Sequence, residues 1–350
     1  MNQPVRKIID WYDRNKRDLP WRSVNDPYLI WVSEVILQQT RVAQGLSYYT
    51  RFVSRFPDPE SLALASQGEL MKMWEGLGYY SRAINMQAAA KSIVREHHGR
   101  FPSSYDSILK LKGTGEYTAS AVASIAFGLP YAVTDGNVTR FISRFYGIDK
   151  PVDTLSVKNA VKAIAREILD ISRPGTHNQA LMEFGALVCI PLKPDCRECP
   201  VSNGCFAYRY DMVSMLPLKT AVKNRLSLYF YFLVCENEYS LLIEKRNAKG
   251  IWKNLYQFPL FESEAEMTDE QILSLPLCRN FLDKGGILKG ISRVYRHELT
   301  HRRIMARFIT IRIPPNTPMI EGFIETSKEE IRKFAFPVLV KNYMTEKGII

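Results

Sequence analysis

Four cysteines fall within a single seventeen-residue stretch, CIPLKPDCRECPVSNGC, as Cys189, Cys196, Cys199 and Cys205 with the spacing C-x6-C-x2-C-x5-C. Four thiolates in one place suit either tetrahedral zinc or a cubane iron–sulfur cluster. Zinc ribbons use two C-x2-C knuckles and only one is present, which favours iron–sulfur. A second candidate is Glu34 in WVSEVILQQTR, a lone carboxylate with Ile30 and Trp31 one turn before it and Leu37 one turn after it. Apolar surroundings disfavour the ionised form of a carboxylate and raise its pKa, and a helix glutamate paired with a nearby arginine is the plain alternative. A third is Asp135 in VTDGNVTRFISRFYG, placed just before an apolar helical stripe of Val138, Phe141, Ile142 and Phe145. An N-cap aspartate is the plain alternative there, and Asn137 can equally be a first-turn hydrogen-bonder.

These residues need elements to hold them. The run LKLKGTGEYTASAVASIAFG predicts a short helix, a hairpin at Gly113-Thr114-Gly115 and a second helix. Two glycines allow a tight turn whose outward N–H groups sit at a helix N-terminus, a nest that binds phosphate without reading a base, with a plain turn the alternative for G-x-G alone. The first 206 residues read as helix after helix. DPESLALASQGELMKMWEGLG opens on an acidic cap and closes on glycine, and NQALMEFGALVC delivers Cys189 at its end. The character changes after Cys205. Residues 208–225 are polar, basic and broken by Pro217, and read as a linker. Beyond them come β-branched and aromatic runs, LSLYFYFLV, YSLLIEK, LYQFPLF and IMARFITIRI, with helical pattern around 268–280 and 336–346. The expected organisation is an all-α domain over 1–207 followed by an α+β domain over 226–350.

A net charge of +11 points to a polyanionic partner, most simply nucleic acid. The excess is spread over the chain, with 25 Lys and Arg against 20 Asp and Glu in residues 1–206. A solvated basic surface is the alternative. Cys235 and Cys278 stand apart from the four, so a reducing compartment fits better than a disulfide framework. No apolar run is long enough to span a bilayer, and the charged N-terminus is no secretion signal. A cytoplasmic monomer, near the nucleoid if bacterial, is the expectation.

The cysteine loop, the hairpin and Asp135 occur together, in this order, in one family. From Trp11 to Cys205 the chain resembles the helix-hairpin-helix DNA glycosylases of the endonuclease III superfamily. Within it, LPWR, SEVILQQTRV, WEGLGYYSRA, VTDGNVTR and NQALMEFGALVC resemble the adenine glycosylase (MutY) branch. KGIWKNLYQFPLFE resembles the Nudix-like domain that this branch adds.

The resemblance implies removal of adenine mispaired with 8-oxoguanine or guanine in double-stranded DNA, after flipping of the base. It implies a [4Fe–4S] cluster on the four cysteines. Glu34 would then be the acid that protonates adenine, and Asp135 the carboxylate that stabilises the cationic sugar, a division of labour like that of retaining glycosidases. Lyases of the superfamily carry a lysine where Tyr117 stands, and a phenol forms no Schiff base. A monofunctional enzyme follows, with Asn137 orienting water or the acid. Gln179 matches a contact to the flipped adenine. Gln39, with Thr40 beside it, and Tyr79 match residues that fill the gap and wedge the duplex. Arg17, Trp21, Arg22 and Arg82 match pocket and DNA contacts, with ordinary surface or phosphate pairing the alternative for each arginine. Gly113 and Gly115 match the phosphate-binding hairpin. The second domain lacks the glutamate-rich magnesium pattern of Nudix hydrolases, so nucleotide hydrolysis is not expected. HELTHRR stands where the family reads 8-oxoguanine, with Leu299 in place of a phenyl group and Thr300 and His301 retaining polar contacts.

Overall fold

A computed structural model describes residues 3–220, 225–247, 250–299, 302–315, 317 and 320–350. The chain folds as two units, Met1–Ala65 with Ile84–Ala221, and Ser66–Ala83 with Val222–Ile350. No helix is long and apolar enough to cross a membrane among the described residues.

The first unit is helical. Its elements begin with α1 (Gln3–Asn15), a 3-10 turn at Pro20–Arg22, α2 (Pro27–Leu37), α3 (Val42–Arg55) and α4 (Pro59–Leu64). The segment predicted as one helix from Asp58 breaks after Leu64, because Ser66 caps a new helix, α5 (Gln67–Trp74), by accepting from the Glu69 N–H, and α5 belongs to the second unit. Next come α6 (Ser81–His97), α7 (Tyr105–Leu109), α8 (Glu116–Phe127), α9 (Gly136–Tyr146), α10 (Leu155–Glu167), α11 (Pro174–Leu187) and α12 (Phe206–Arg209). The apolar stripes of α1, α9, α10 and α11 meet in one core built on Ile8, Phe141, Val161, Leu181 and Phe184. Burying one such side chain contributes about 1.5–3 kcal/mol. Cys189, Cys199 and Cys205 pack against the same core. Residues after α12 are tied back to this unit, with Arg144 Nε donating to Leu216 O at 2.9 Å and Val152 N to Leu218 O at 3.0 Å.

The second unit is built on a mixed sheet. Its strands are β1 (Leu226–Glu236), β2 (Ser240–Lys245), β3 (Tyr256–Gln257), β4 (Leu260–Ser263), β5 (Ile287–Ile291), β6 (Tyr295–Glu298), β7 (Arg302–Arg312) and β8 (Phe323–Ser327). The central order is β3-β2-β1-β7-β5, and β1 and β7 run parallel in register from Leu226–Arg302 to Glu236–Arg312. The other pairs are antiparallel. β1 is buried continuously from Phe230 to Cys235 and reads there as an unbroken apolar run, whereas β7 largely alternates buried and more exposed positions. The helices α13 (Asp269–Leu273), α14 (Pro276–Asp283) and α15 (Val338–Glu346) complete the unit.

Candidate active site

Glu34 owes its position to the start of α2. Asp26 accepts from the Tyr28 N–H at 2.8 Å and the Leu29 N–H at 3.3 Å, and Pro27 supplies the first helical residue. Two α2 side chains and that of its C-cap, Gln38, then reach across to the hairpin and α8. Trp31 Nε1 donates to Thr114 Oγ1 at 3.3 Å, and Gln38 Nε2 donates to Thr118 Oγ1 at 3.2 Å. Between them, the Tyr117 hydroxyl donates to Glu34 Oε2 at 2.6 Å. Residues 31, 34 and 38 follow helical spacing, so one face of α2 is fastened along its length.

That face opens on a cavity of about 160 Å³. Glu34, Tyr117, Asp135, Asn137 and Gln179 line it, together with Arg17, Trp21, Arg22 and Thr40. Glu34 is 7% exposed. Burial pushes its carboxyl up to about 7, against the Tyr117 hydrogen bond, and the nearby Asp135 adds to the rise. The same acid is therefore half-protonated near neutral pH. Burial also raises the Tyr117 hydroxyl well above its ordinary value, so it remains a donor. Gln179 accepts from the Tyr12 hydroxyl at 2.6 Å, which leaves its amide N–H2 as the end able to meet a ligand.

Asp135 is both a cap and a member of this cavity. Its carboxylate accepts from the Val138 N–H at 2.7 Å and from Asn137 Nδ2 at 2.9 Å. Burial raises its pKa, while these donors and the Arg140 charge favour the ionised form. Asn137 is held in turn by Arg140 Nη2 at 2.9 Å, and that guanidinium also binds Gly185 O and Cys189 O. A Cβ on Gly185 would lie 2.6 Å from Asn137 Cβ, so the close approach of α11 to α9 requires glycine there.

Glu183, for which the sequence raised no expectation, is the buried centre of the cavity's arginines. Its carboxylate is 1% exposed and binds Arg17 Nε and Nη2 at 2.8 and 2.5 Å and Arg22 Nη1 and Nη2 at 2.8 and 2.6 Å. The two guanidiniums hold its pKa down at about 2 despite burial. A lone acid in the apolar helix NQALMEFGALVC, one turn after Gln179, is the same kind of signal that singled out Glu34.

The remaining predicted residues lie outside this cavity. Gln39 is exposed on the turn after α2 with φ of 57°, and Tyr79 is half exposed with φ of 45°. Both adopt the left-handed conformation that L-residues rarely take. Arg82 donates to the carbonyls of Leu77 and Gly78 and lies over the rings of Trp74 and Tyr79. At the hairpin, Gly113 has φ of 79° and a Cβ there would meet Asn85 at 2.6 Å, whereas a Cβ on Gly115 meets nothing within 4 Å. Gly115→Ala is therefore expected to keep its melting temperature and, if the hairpin grips a phosphate as the resemblance implies, to bind duplex DNA about tenfold more weakly. Fluorescence-anisotropy titration checks this. Leu299 N donates to Arg302 O at 2.8 Å, while Thr300 and His301 lie outside the described residues.

Cys189, Cys196, Cys199 and Cys205 all line a separate, apolar cavity with Arg144 at its wall. Arg144 Nη1 lies 3.5 Å from Cys189 Sγ and 2.7 Å from Ile190 O. Burial pushes the Cys199 thiol up to about 11 and raises Cys196 and Cys205 too, with the neighbouring thiols adding to each rise. Such mutual repulsion is what a bound cation relieves. Among the described residues, no three acidic, thiol or imidazole side chains form a group able to hold a single metal ion. A cubane core instead spreads four thiolates over four irons, and the shared cavity fits that donor set.

Comparison with known proteins shows which family the chain resembles along its length. Residues 32–167 match the HhH-GPD superfamily of base excision DNA repair proteins, and residues 230–346 match the NUDIX domain. An adenine DNA glycosylase of Buchnera aphidicola subsp. Acyrthosiphon pisum (strain APS) is 31% identical over 311 residues, spanning 88% of this chain and 86% of that protein. Its counterpart from Buchnera aphidicola subsp. Schizaphis graminum (strain Sg) is 36% identical over 258 residues, spanning 73% and 74% respectively. Among solved structures, a thermostable thymine-DNA glycosylase superposes with a TM-score of 0.54 at 30% identity, over 59% of this chain and 95% of that one. The helix-hairpin-helix unit, the Nudix-like unit and the similarity over most of the length show that the chain belongs to the adenine DNA glycosylase family.

Proposed function

We propose that this chain excises adenine paired with 8-oxoguanine or guanine from duplex DNA, as a monofunctional glycosylase. The observation that carries this reading is the meeting of Glu34, Tyr117 and Asp135 in one cavity. Breaking the N-glycosidic bond of adenine needs a proton on the base and negative charge at the sugar. Glu34, with its carboxyl raised to about 7, supplies the proton. Asp135, held by Val138 N and Asn137, faces the developing oxocarbenium ion as the carboxylate. Asn137 positions the attacking water, and the Gln179 amide faces the flipped base. The arginines on Glu183 form the wall beside it.

No lysine lines the cavity among the described residues, and Tyr117 occupies the helix position from which a lyase would project its amine. The hairpin at Gly113 and Gly115 grips a phosphate while Gln39 and Tyr79 enter the space left by the base. The loop at Leu299, Thr300 and His301 contacts the oxidised guanine. The four cysteines hold a [4Fe–4S] cluster, which stiffens the loop after α11, and the enzyme acts in the cytoplasm as a monomer.

The test is a single-turnover assay on 8-oxoguanine:A, G:A and thymine-glycol duplexes run side by side. Free adenine and alkali-labile sites are expected from the first two, with no borohydride-trapped adduct on any. Absence of adenine release from 8-oxoguanine:A overturns the reading.

A further inference from the structure

Residues 66–83 lie within the region matched to the helix-hairpin-helix superfamily, yet they pack into the unit that carries the C-terminal sheet. The fastening is concentrated on Glu75, the residue that ends α5. Its carboxylate is 7% exposed and accepts from Lys72 Nζ, Lys341 Nζ and the Phe336 N–H, each at 3.0 Å. Lys72 Nζ reaches Phe334 O at 3.0 Å as well. Charge-assisted bonds to a shielded carboxylate are the strong class of side-chain contact, and removing one partner leaves the others' charges uncompensated.

On one side of this junction is the turn of Gly76, Gly78 and Tyr79, all at positive φ. On the other side, Lys341 and Tyr343 share α15, and the Tyr343 ring stacks on Phe308 of β7 at 3.8 Å and 6°. β7 begins at Arg302, directly after residues 299–301. The Tyr256 N–H of β3 donates to Ala335 O at 2.8 Å, so the segment meeting Glu75 is also laced to the sheet edge.

We propose that Glu75 is a positioning residue for lesion discrimination, fastening the Tyr79 turn to the C-terminal sheet so that the wedge and β7, the strand that follows residues 299–301, share one mount. This rests on the proposed reading that residues 299–301 contact the oxidised base and Tyr79 enters the duplex. With a rigid mount, a poor fit at the loop displaces the wedge. With a loosened mount the wedge enters regardless, and the two guanines are treated alike.

The experiment uses the full chain. Single-turnover adenine release is measured on 8-oxoguanine:A and G:A duplexes of one flanking sequence, for wild type, Glu75→Gln, Lys341→Met and the double variant, with each melting temperature. Each single change is expected to lower the 8-oxoguanine preference about tenfold, and the double variant to lower it no further, the mark of one shared interaction. A ratio of rates cancels any loss of folded protein. An unchanged ratio in both single variants, additive losses in the double, or parallel falls of both rates with the melting temperature would each overturn the inference. A wild type that releases adenine opposite 8-oxoguanine but keeps its ratio in the variants removes this inference alone. A wild type without that activity removes the functional reading beneath it.

Discussion

Glu34→Gln is expected to slow adenine release by roughly 10²–10⁴-fold, the range that a positioned proton donor contributes. The same variant is expected to be more stable than wild type above neutral pH. The unfolded chain loses this proton near the ordinary value of 4.5, and the folded chain near 7. Between those values the native state holds the extra proton, so stability falls as pH rises and the full penalty is present above about 7. The rise from 4.5 to about 7 corresponds to about 3 kcal/mol. Glutamine keeps an oxygen for the Tyr117 hydroxyl without the buried charge. Thermal unfolding at pH 5 and pH 8 checks this: the gain should appear at pH 8 and shrink at pH 5. In wild type, the single-turnover rate should fall as pH rises through about 7. A variant that is slow but no more stable at pH 8 would place the charged form of Glu34 in a better-solvated setting than its burial indicates.

Glu183→Gln carries the second large effect, with the opposite sign. Taking the charge from a buried carboxylate clasped by two guanidiniums costs about 3–5 kcal/mol, because Arg17 and Arg22 then face each other without compensation. Arg22 is the more deeply placed, with 13% of its side chain exposed against 33% for Arg17. The pKa of Glu183 is depressed, so its contribution is present above the ordinary carboxylate value and is lost as pH falls towards 2. Chemical denaturation at pH 7 measures the loss. A second consequence appears in catalysis. The Arg22 charge already favours ionised Glu34. Freed from Glu183 it does so more strongly, and the pH limb near 7 should move to lower pH. Unchanged stability and an unchanged limb would contradict the buried-triad geometry.

Much of the site was legible because its residues break a local rule. Glu34 sits where helical spacing demands an apolar side chain, and the four thiols crowd one loop. Asp135 is the N-cap that its plain reading describes, and the same carboxylate also lines the cavity. Glu183 broke the same rule as Glu34 but was missed, because its partners lie 161 and 166 residues away and arginines on separate segments do not announce a shared acid. The mounting of α5 was hidden for the same reason, since Glu75 and Lys341 are 266 positions apart. In the second unit, β1, β2 and β7 were visible as dense apolar runs. β5 and β6 were not, since β5 is largely exposed and both pair along the flank of β7. The split between α4 and α5 turned on one serine hydroxyl, a detail that apolar periodicity does not register.

The three ties from Trp31, Glu34 and Gln38 to Thr114, Tyr117 and Thr118 make α2 and α8 a caliper. On the proposed reading one jaw, the hairpin, meets the sugar–phosphate chain and the other carries the proton donor, so the acid would stand at one distance from the gripped strand. Only a nucleotide swung out to that distance would then be tested, and stacked bases would pass by unexamined.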